Sequence, residues 1–306
     1  MISLSQWRSI MGQTGIYALA VLSALFWAAN FNLAGPVLAD MAPMTAAAGR
    51  FGLAALVMAA LVAGRGELGA LMGAARKSGG RLALLGVVGI AGFNLLFFDA
   101  MRTTSAVNGA LIMATNPLLT AVLAAMFLGE QLPGRQIAAL PVALAGVSMV
   151  ILGGVKGDVV FGMGDVEMMG ANLSWAIYNV MARRLMPAGS ALVNATIPMA
   201  AGALVLALAA GLSGAEFAIP GPKAGAALLA MVVFGSVLAY LFWNAAIARM
   251  GAGRTALFLN LVPVFAAAIA TLGGTPPSPA QLGGGAVVIA AVIISMLPRR
   301  PQPCLA

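Results

Sequence analysis

Long apolar segments recur along the whole chain, and short stretches rich in glycine, proline and charge separate them. Each segment is about long enough to cross a bilayer, which takes roughly 20 apolar residues. The pattern predicts an all-α polytopic membrane protein with ten transmembrane helices. They run approximately over residues 14–35, 43–63, 81–101, 107–127, 134–153, 165–182, 190–211, 225–248, 255–272 and 280–297.

Pro117 lies near the middle of the fourth segment, and Pro263 lies near the middle of the ninth. A proline inside a helix removes one backbone hydrogen bond and kinks the helix. Interrupted apolar segments at matching places in two halves point to a transporter site. We therefore expect both prolines to act as hinges beside a cavity, with Asn116 and Asn260 close to them. The alternative is two ordinary kinks that improve packing.

The chain also repeats itself at low similarity, and each half holds five spans. Because five is odd, the second half must enter the membrane inverted relative to the first, which is a transporter architecture with its site near the midplane. We expect repeats at 14–153 and 154–297, with tails at 1–13 and 298–306. The matching stretches are Phe26-Trp27-Ala28 with Ser174-Trp175-Ala176, Phe97-Phe98-Asp99-Ala100 with Phe242-Trp243-Asn244-Ala245, and Leu128-Gly129 with Leu272-Gly273.

The basic residues predict the orientation of the chain. Of 16 Lys and Arg residues, 12 fall in loops and tails on one side, three on the other and one, Arg50, inside a span. Positive charge marks the cytoplasmic side. We therefore expect a multi-pass protein of the inner (cytoplasmic) membrane with both termini in the cytoplasm. The formal charge of +8 then reflects topology, and no nucleic-acid partner is expected.

Composition excludes several classes of function. The chain is 62% hydrophobic and 8% charged, with no histidine and one cysteine, Cys304. This excludes a disulfide framework, a Cys/His metal site and haem or iron–sulfur ligation. There is no phosphate-binding glycine motif for an ATP-driven pump and no paired acid and base for an enzyme. We expect no enzymatic activity, no metal and no cofactor.

Arg50 is the most costly residue to place in a membrane. It lies about 10 Å along its span, within a hydrocarbon core about 30 Å thick. A central arginine costs roughly 3 kcal/mol on insertion scales, so it normally faces a cavity or a partner. One interpretation is a clamp for a substrate carboxylate, which a guanidinium binds with two parallel hydrogen bonds. The other is a structural arginine that ties helix carbonyls together.

Asp99 is the best placed acidic residue, toward the outer end of the third span. It is a candidate to hold a substrate amino group or to take up a proton. The alternative is an ion pair with Arg102, three residues further along the same helix face.

Uncharged polar and aromatic residues inside the spans form the remaining candidate site. Buried amides either join helices or line a cavity that binds a zwitterion. Aromatic walls suit apolar or aromatic side chains, and also cations. A belt at the membrane interface is the alternative for Trp243. The candidates are Asn30, Asn94, Asn116, Trp175, Tyr178, Asn179, Tyr240, Trp243 and Asn260, with Trp27, Asn32 and Asn244 nearby in the pattern.

The repeat, Trp27 and Trp175, Arg50, Asn116-Pro117 and Leu128-Gly129-Glu130 resemble the EamA domains of the drug/metabolite transporter superfamily. Within it the chain is most similar to aromatic amino acid exporters of the YddG type. The resemblance implies a basket of helices around a central cavity, with spans 5 and 10 peripheral. One departure is Gly274, where the family repeats the glutamate; a glutamate that ties down its own helix end would leave span 9 looser there.

The resemblance implies an exporter of aromatic amino acids and a broad range of others, working by alternating access. Its partners would be small-molecule amino acids and the lipid bilayer. The oligomeric state is left open, with a monomer as the expected form. The alternative function is export of another small metabolite or a cationic drug such as methyl viologen.

Overall fold

The computed structural model describes residues 13–104, 106–153, 162–274 and 276–296 of the chain. Within these ranges the regular structure is helical, as the apolar pattern predicts. The two predicted tails lie outside the described residues, apart from Gln13, where the first helix begins.

Ten helices form the described chain, in agreement with the ten predicted spans. The fourth consists of two parts separated by Thr115. The helices are α1 Gln13–Asp40, α2 Pro43–Gly64, α3 Leu68–Ala100, α4 Ala106–Ala114 with Asn116–Leu128, α5 Gly134–Leu152, α6 Met163–Leu185, α7 Ala191–Leu212, α8 Pro222–Met250, α9 Ala252–Leu272 and α10 Pro279–Met296.

All of these helices except α6 are long and apolar enough to cross a membrane by length and composition. Helix α6 has 23 residues and carries the buried polar residues Asp165, Asn172 and Asn179. Polar side chains are tolerated on a membrane helix that faces the interior of its bundle. The greater polarity of α6 therefore fits its position between other helices.

Helix α3 is longer than predicted, because it begins at Leu68 and not near residue 81. The charges of Arg76 and Lys77 suggested a loop there. No proline interrupts this stretch and both side chains are exposed, so the helix continues through it. Helix α1 also runs past Pro36 to Asp40, beyond its predicted end near residue 35.

Both predicted proline interruptions are present. In α4 the helix breaks at Thr115, and Pro117 lies in the first turn of the second part. In α9 a short 3₁₀ segment, Leu257–Asn260, precedes the part that contains Pro263 near its start. A proline is tolerated in the first turn because its missing N–H would have no partner there.

Two wider helical turns were not predicted from the sequence. Helix α3 contains the π-helical segment Val87–Gly92, and α8 contains the π-helical segment Met231–Leu238. These helices are the third of each half, so the irregularity follows the internal repeat. Wider turns of this kind are frequent at functional sites.

The two halves pack by exchanging equivalent contacts. Helix α1 packs on α8 and α9 of the second half, and α6 packs on α3 and α4 of the first half. Helices α5 and α10 pack closely on each other. A Cβ atom added at Gly146 would lie 2.9 Å from the carbonyl oxygen of Gly284, so the two backbones almost touch. We call the end of the bundle where α1 begins and α10 ends the N-terminal face.

Candidate functional site

Five aromatic side chains meet where α1, α6 and α8 cross, and we call them the aromatic cluster. The ring centroids of Trp27 and Trp175 lie 5.4 Å apart, and those of Trp27 and Trp243 lie 5.0 Å apart. Trp175 stacks on Tyr178 at 5.0 Å and meets Tyr240 edge to face at 5.7 Å. The cluster joins one helix of the first half to two of the second, and its members include four predicted site residues.

Two buried members of the aromatic cluster form hydrogen bonds with asparagine side chains. Trp243 is fully buried, and its Nε1 donates to Asn179 Oδ1 at 2.8 Å. The hydroxyl of Tyr178 donates to Asn244 Oδ1 at 3.0 Å. Trp243 is therefore part of the bundle interior and not of an aromatic belt at the membrane interface. These amides orient the rings.

Arg50 lies beside the aromatic cluster and reaches across to the π-helical segment of α8. Its Nε donates to Ser236 Oγ at 2.8 Å, and its second terminal nitrogen donates to the Gly235 carbonyl at 3.1 Å. The same carbonyl accepts from Trp27 Nε1 at 3.0 Å. Arg50 thus ties α2 to α8, as the structural interpretation expects. Part of the guanidinium remains available, because a guanidinium has five N–H donors.

Arg50 forms no ion pair with a carboxylate of the described residues. The ion pairs found among these residues join Asp99 to Arg102 and Glu130 to Arg183. Arg50 also lines a crevice of about 60 Å³ between α1, α2, α3 and α8. Asn94 and Phe98 line it too. An arginine that lines a crevice without an acidic partner can bind an anion from outside the protein.

A glycine in each π-helical segment admits a side chain from the other half. A Cβ atom added at Gly89 of α3 would lie 2.1 Å from the ring of Tyr178. A Cβ atom added at Gly235 of α8 would lie 2.3 Å from the amide of Asn30. Residues 89 and 235 are 146 positions apart, as are Pro117 and Pro263. The two contacts are therefore equivalent under the inverted repeat.

The Asn30 amide is buried beside Gly235, and its Oδ1 has no hydrogen-bond partner. A buried acceptor without a donor is uncommon in proteins and costs about 1–3 kcal/mol. Asn30 and Arg50 both touch Gly235, so an unused acceptor lies close to an unpaired cation.

A second polar group joins α4 to α6 at the break in α4. Asn116 Nδ2 donates to the Asn172 carbonyl at 3.0 Å and to its Oδ1 at 2.6 Å. Asn172 Nδ2 donates to the Ile112 carbonyl and to Thr115 Oγ1, both at 2.9 Å. Asn172 was missed from the sequence, although it lies on α6 three residues before Trp175. Asn116 Oδ1 also accepts from Thr120 Oγ1, which accepts from Asn179 Nδ2, so this polar group is connected to the amide that binds Trp243.

The remaining predicted site residues lie in three different places. Asn94 Nδ2 donates to the carbonyl of Ile90, one turn earlier, at 2.7 Å. Asn260 Nδ2 donates at 3.1 Å to the Leu257 carbonyl, at the irregular part of α9. Asp99 is exposed and its Oδ1 lies 3.2 Å from Arg102. Asp99 therefore makes the pair that the alternative interpretation expects.

Glu130 forms a contact that the sequence analysis did not anticipate. Its two carboxylate oxygens accept the backbone N–H groups of Ala252 and Gly253 at 3.0 and 3.1 Å, and Arg183 lies 3.9 Å away. The carboxylate satisfies two of the N–H groups that a helix start leaves unpaired. Glu130 therefore holds the start of α9 in the other half, instead of the end of its own helix. We call this contact the Glu130 clamp.

Comparison with known proteins agrees with this architecture. The model of a family described as the EamA-like transporter family matches residues 14–152 and 162–297. The chain is 37% identical over 289 residues to the uncharacterized transporter YyaM of Bacillus subtilis (strain 168), covering 92% of this chain and 94% of that protein. It is 26% identical over 294 residues to a Salmonella typhimurium protein named "Probable amino-acid metabolite efflux pump", covering 91% and 93%.

A solved structure shares the fold. It superposes with a TM-score of 0.80 at 19% sequence identity, and the match covers 93% of this chain and 97% of the other. Ten helices in two inverted halves are thus a known arrangement.

Proposed function

The chain belongs to the EamA-like transporter family, and on that premise we propose that it exports amino acids, with aromatic ones among its substrates. Membership makes it a multi-pass membrane transporter of small molecules. The name of the Salmonella relative supports amino-acid metabolites as the substrate class.

The observation that carries the proposal is the unpaired Arg50 beside the aromatic cluster. A free amino acid has a carboxylate, an ammonium group and a side chain. The carboxylate suits the N–H groups that Arg50 leaves unused, because a guanidinium binds it in two parallel bonds. Trp27 is only partly buried and offers an aromatic face for the side chain. Aromatic side chains would gain about 0.5–1.5 kcal/mol from such ring contacts.

The ammonium group has a candidate acceptor in Asn30 Oδ1, which has no donor among the described residues. Asn30 and Arg50 both contact Gly235. A zwitterion placed between them would satisfy an acceptor and a cation together. A simple anion would leave Asn30 unpaired.

The distribution of basic residues supports an orientation of the chain in the membrane. The 12 to 3 excess of Lys and Arg supports a protein of the inner membrane with its N-terminal face and both termini in the cytoplasm. Alternating access would then rock residues 14–153 against 154–297, with Pro117 and Pro263 as hinges. Helix breaks at matching positions are the expected hinge sites of such a carrier.

The test is flux in liposomes that contain the purified protein and a panel of amino acids. We expect saturable export of tryptophan and phenylalanine. Arg50→Ala should raise the half-saturating concentration of tryptophan, while Arg50→Lys should restore part of the affinity because it keeps the charge. Ser236→Ala is the matched control, since it removes one hydrogen bond of Arg50 but not its charge.

Two results would contradict the proposal. One is an Arg50→Ala protein that exports tryptophan at the wild-type rate and with unchanged concentration dependence. The other is saturable flux of methyl viologen without any amino acid flux. The aromatic cluster suits a cation, but Arg50 would repel it.

A further inference from the structure

A separate cavity of about 210 Å³ opens near the N-terminal face, and we call it the basal cavity. It lies between α1, α5, α8, α9 and α10, and it shares no lining residue with the crevice at Arg50. Its volume is below the roughly 300 Å³ at which pockets for drug-sized ligands begin. The size suits one small metabolite.

Two arginines line the basal cavity without acidic partners. Arg249 lies at the end of α8 and Arg254 in the first turn of α9. Neither forms an ion pair with any described carboxylate. Since both side chains border one small volume, their charges reinforce each other there and favour an anionic group.

The same cavity holds an acceptor without a donor. Gln136 lines it and is buried, with Nε2 donating to the Ser295 carbonyl at 3.1 Å. Its Oε1 has no hydrogen-bond partner in the described part of the chain. This atom requires an N–H or O–H donor, which a bare carboxylate or phosphodiester does not supply.

The rest of the wall is apolar and partly aromatic. Tyr17 and Phe258 stack with ring centroids 6.0 Å apart, and both line the cavity. A ligand that satisfies every part of the wall carries an anion, a donor and an apolar group. An α-amino acid has all three.

We propose that the basal cavity is a second binding site for a zwitterionic amino acid, which loads substrate from the cytoplasm before it reaches the aromatic cluster. Arg254 and Arg249 bind the carboxylate, Gln136 accepts from the ammonium group, and Tyr17 and Phe258 contact the side chain. This inference rests on the proposed function. Trp27 lies ten residues beyond Tyr17 on α1, about 15 Å further into the membrane at 1.5 Å per residue.

The experiment measures initial export of L-phenylalanine from liposomes that contain the full-length protein. Arg254→Gln should raise the half-saturating concentration about tenfold and leave the maximal rate within about twofold, the first being about 1.4 kcal/mol of binding. Arg76→Gln is the matched control, because it removes an exposed arginine on the same predicted side but outside the cavity.

Three ligands separate the parts of the cavity. Phenylalaninamide lacks the carboxylate and 3-phenylpropionate lacks the ammonium group. Each should inhibit the wild type more weakly than phenylalanine does. Arg254→Gln should reduce the difference between phenylalanine and phenylalaninamide, because Arg249 and Arg50 remain. Gln136→Leu should reduce the difference between phenylalanine and 3-phenylpropionate. Size-exclusion chromatography of each variant confirms that it is folded.

The outcomes distinguish this inference from the proposed function. If the wild type exports no amino acid, the proposed function fails and the basal site with it. If Arg50→Ala impairs export but Arg254→Gln matches the wild type, only the basal site is overturned. It is also overturned if the effect of Arg254→Gln appears only with phosphatidylglycerol in the liposomes, since the cavity then binds a lipid phosphate.

Discussion

Trp27 and Trp175 hold matching positions in the two halves of the chain, and their rings meet edge to face with centroids 5.4 Å apart. The axis that relates the inverted halves must therefore pass close to this contact. Trp27 also donates to the Gly235 carbonyl, which accepts from Arg50 as well. Trp27 therefore contacts its counterpart in the other half and also shares the Gly235 carbonyl of the π-helical segment with Arg50, the candidate carboxylate anchor.

Trp27→Ala tests the role of this contact in substrate binding. It removes the ring contacts with Trp175 and Trp243 and the hydrogen bond to Gly235. We expect the half-saturating concentration for tryptophan to rise about tenfold. Trp27→Phe should keep most of the affinity because it keeps a ring. Phe127→Ala, which alters an exposed ring on α4, should leave export unchanged; equal effects at both positions would refute a specific role.

Gly235→Ala tests the fit of Asn30 against the π-helical segment. The added methyl would overlap the amide, so we expect a loss of about 1–3 kcal/mol in stability, as for overpacked cores. Gly89→Ala should act similarly through Tyr178. Gly52→Ala has no neighbour within 4 Å and serves as the control. The measurement is the apparent melting temperature of the purified variants. An unchanged melting temperature for Gly235→Ala would contradict this prediction and show that the Asn30 side chain can move aside at little cost.

Glu130→Gln tests the Glu130 clamp. Its amide keeps one acceptor for the N–H groups of Ala252 and Gly253 and loses the charge near Arg183. We expect the free energy of opening the N-terminal face to fall by about 1–2 kcal/mol, so that the face opens more often. The probe is the rate at which a maleimide labels Ala124→Cys in a Cys304→Ser background, since Ala124 is fully buried beside Ala252. Labelling should be faster with Glu130→Gln, and an unaltered rate would contradict the clamp.

Asn116→Leu tests the polar group at the break in α4. It would leave the buried Oδ1 of Asn172 without its donor, so we expect the free energy of unfolding to fall by about 1–3 kcal/mol. A double-mutant cycle with Asn172→Leu should give less than the sum of the single effects. Additive effects would mean that the two amides act independently. Thermal unfolding in detergent supplies all four values.

Asp99→Asn tests proton coupling through the acidic residue that the sequence favoured. Asp99 is exposed and paired with Arg102, so we expect normal export and the same response to a pH gradient as the wild type. The flux assay with and without a gradient measures both. A gradient response that disappears only in this variant would make Asp99 the proton site.

Much of the fold could be predicted because apolar length and charge bias are local properties. The ten spans and the interruptions at Pro117 and Pro263 follow from residues close together in the sequence, and the five-plus-five repeat follows from comparing such local patterns between the two halves. The predicted start of α3 was wrong, because the charges of Arg76 and Lys77 indicated a loop where the helix continues. Charge shows which side a segment faces, but it does not show whether the backbone there is helical.

The candidate site was predicted as a set of residues, but its grouping was not. The sequence identified Arg50, Asn30 and the aromatic residues as unusual in an apolar chain. It also placed Asp99 and Asn260 in the same set, whereas the structure holds them in other contacts. The sequence around a single polar residue in a span does not show which residue will be its hydrogen-bond partner.

The sequence by itself determined which segments cross the membrane, how the chain repeats and which costly residues require a partner. Only the tertiary structure decided that Trp27 meets Trp175, that Gly235 receives Asn30 and that Glu130 binds the start of α9. These contacts join residues more than 100 positions apart in oppositely oriented halves. They depend on how inverted helices pack, and packing is a property of the assembled bundle.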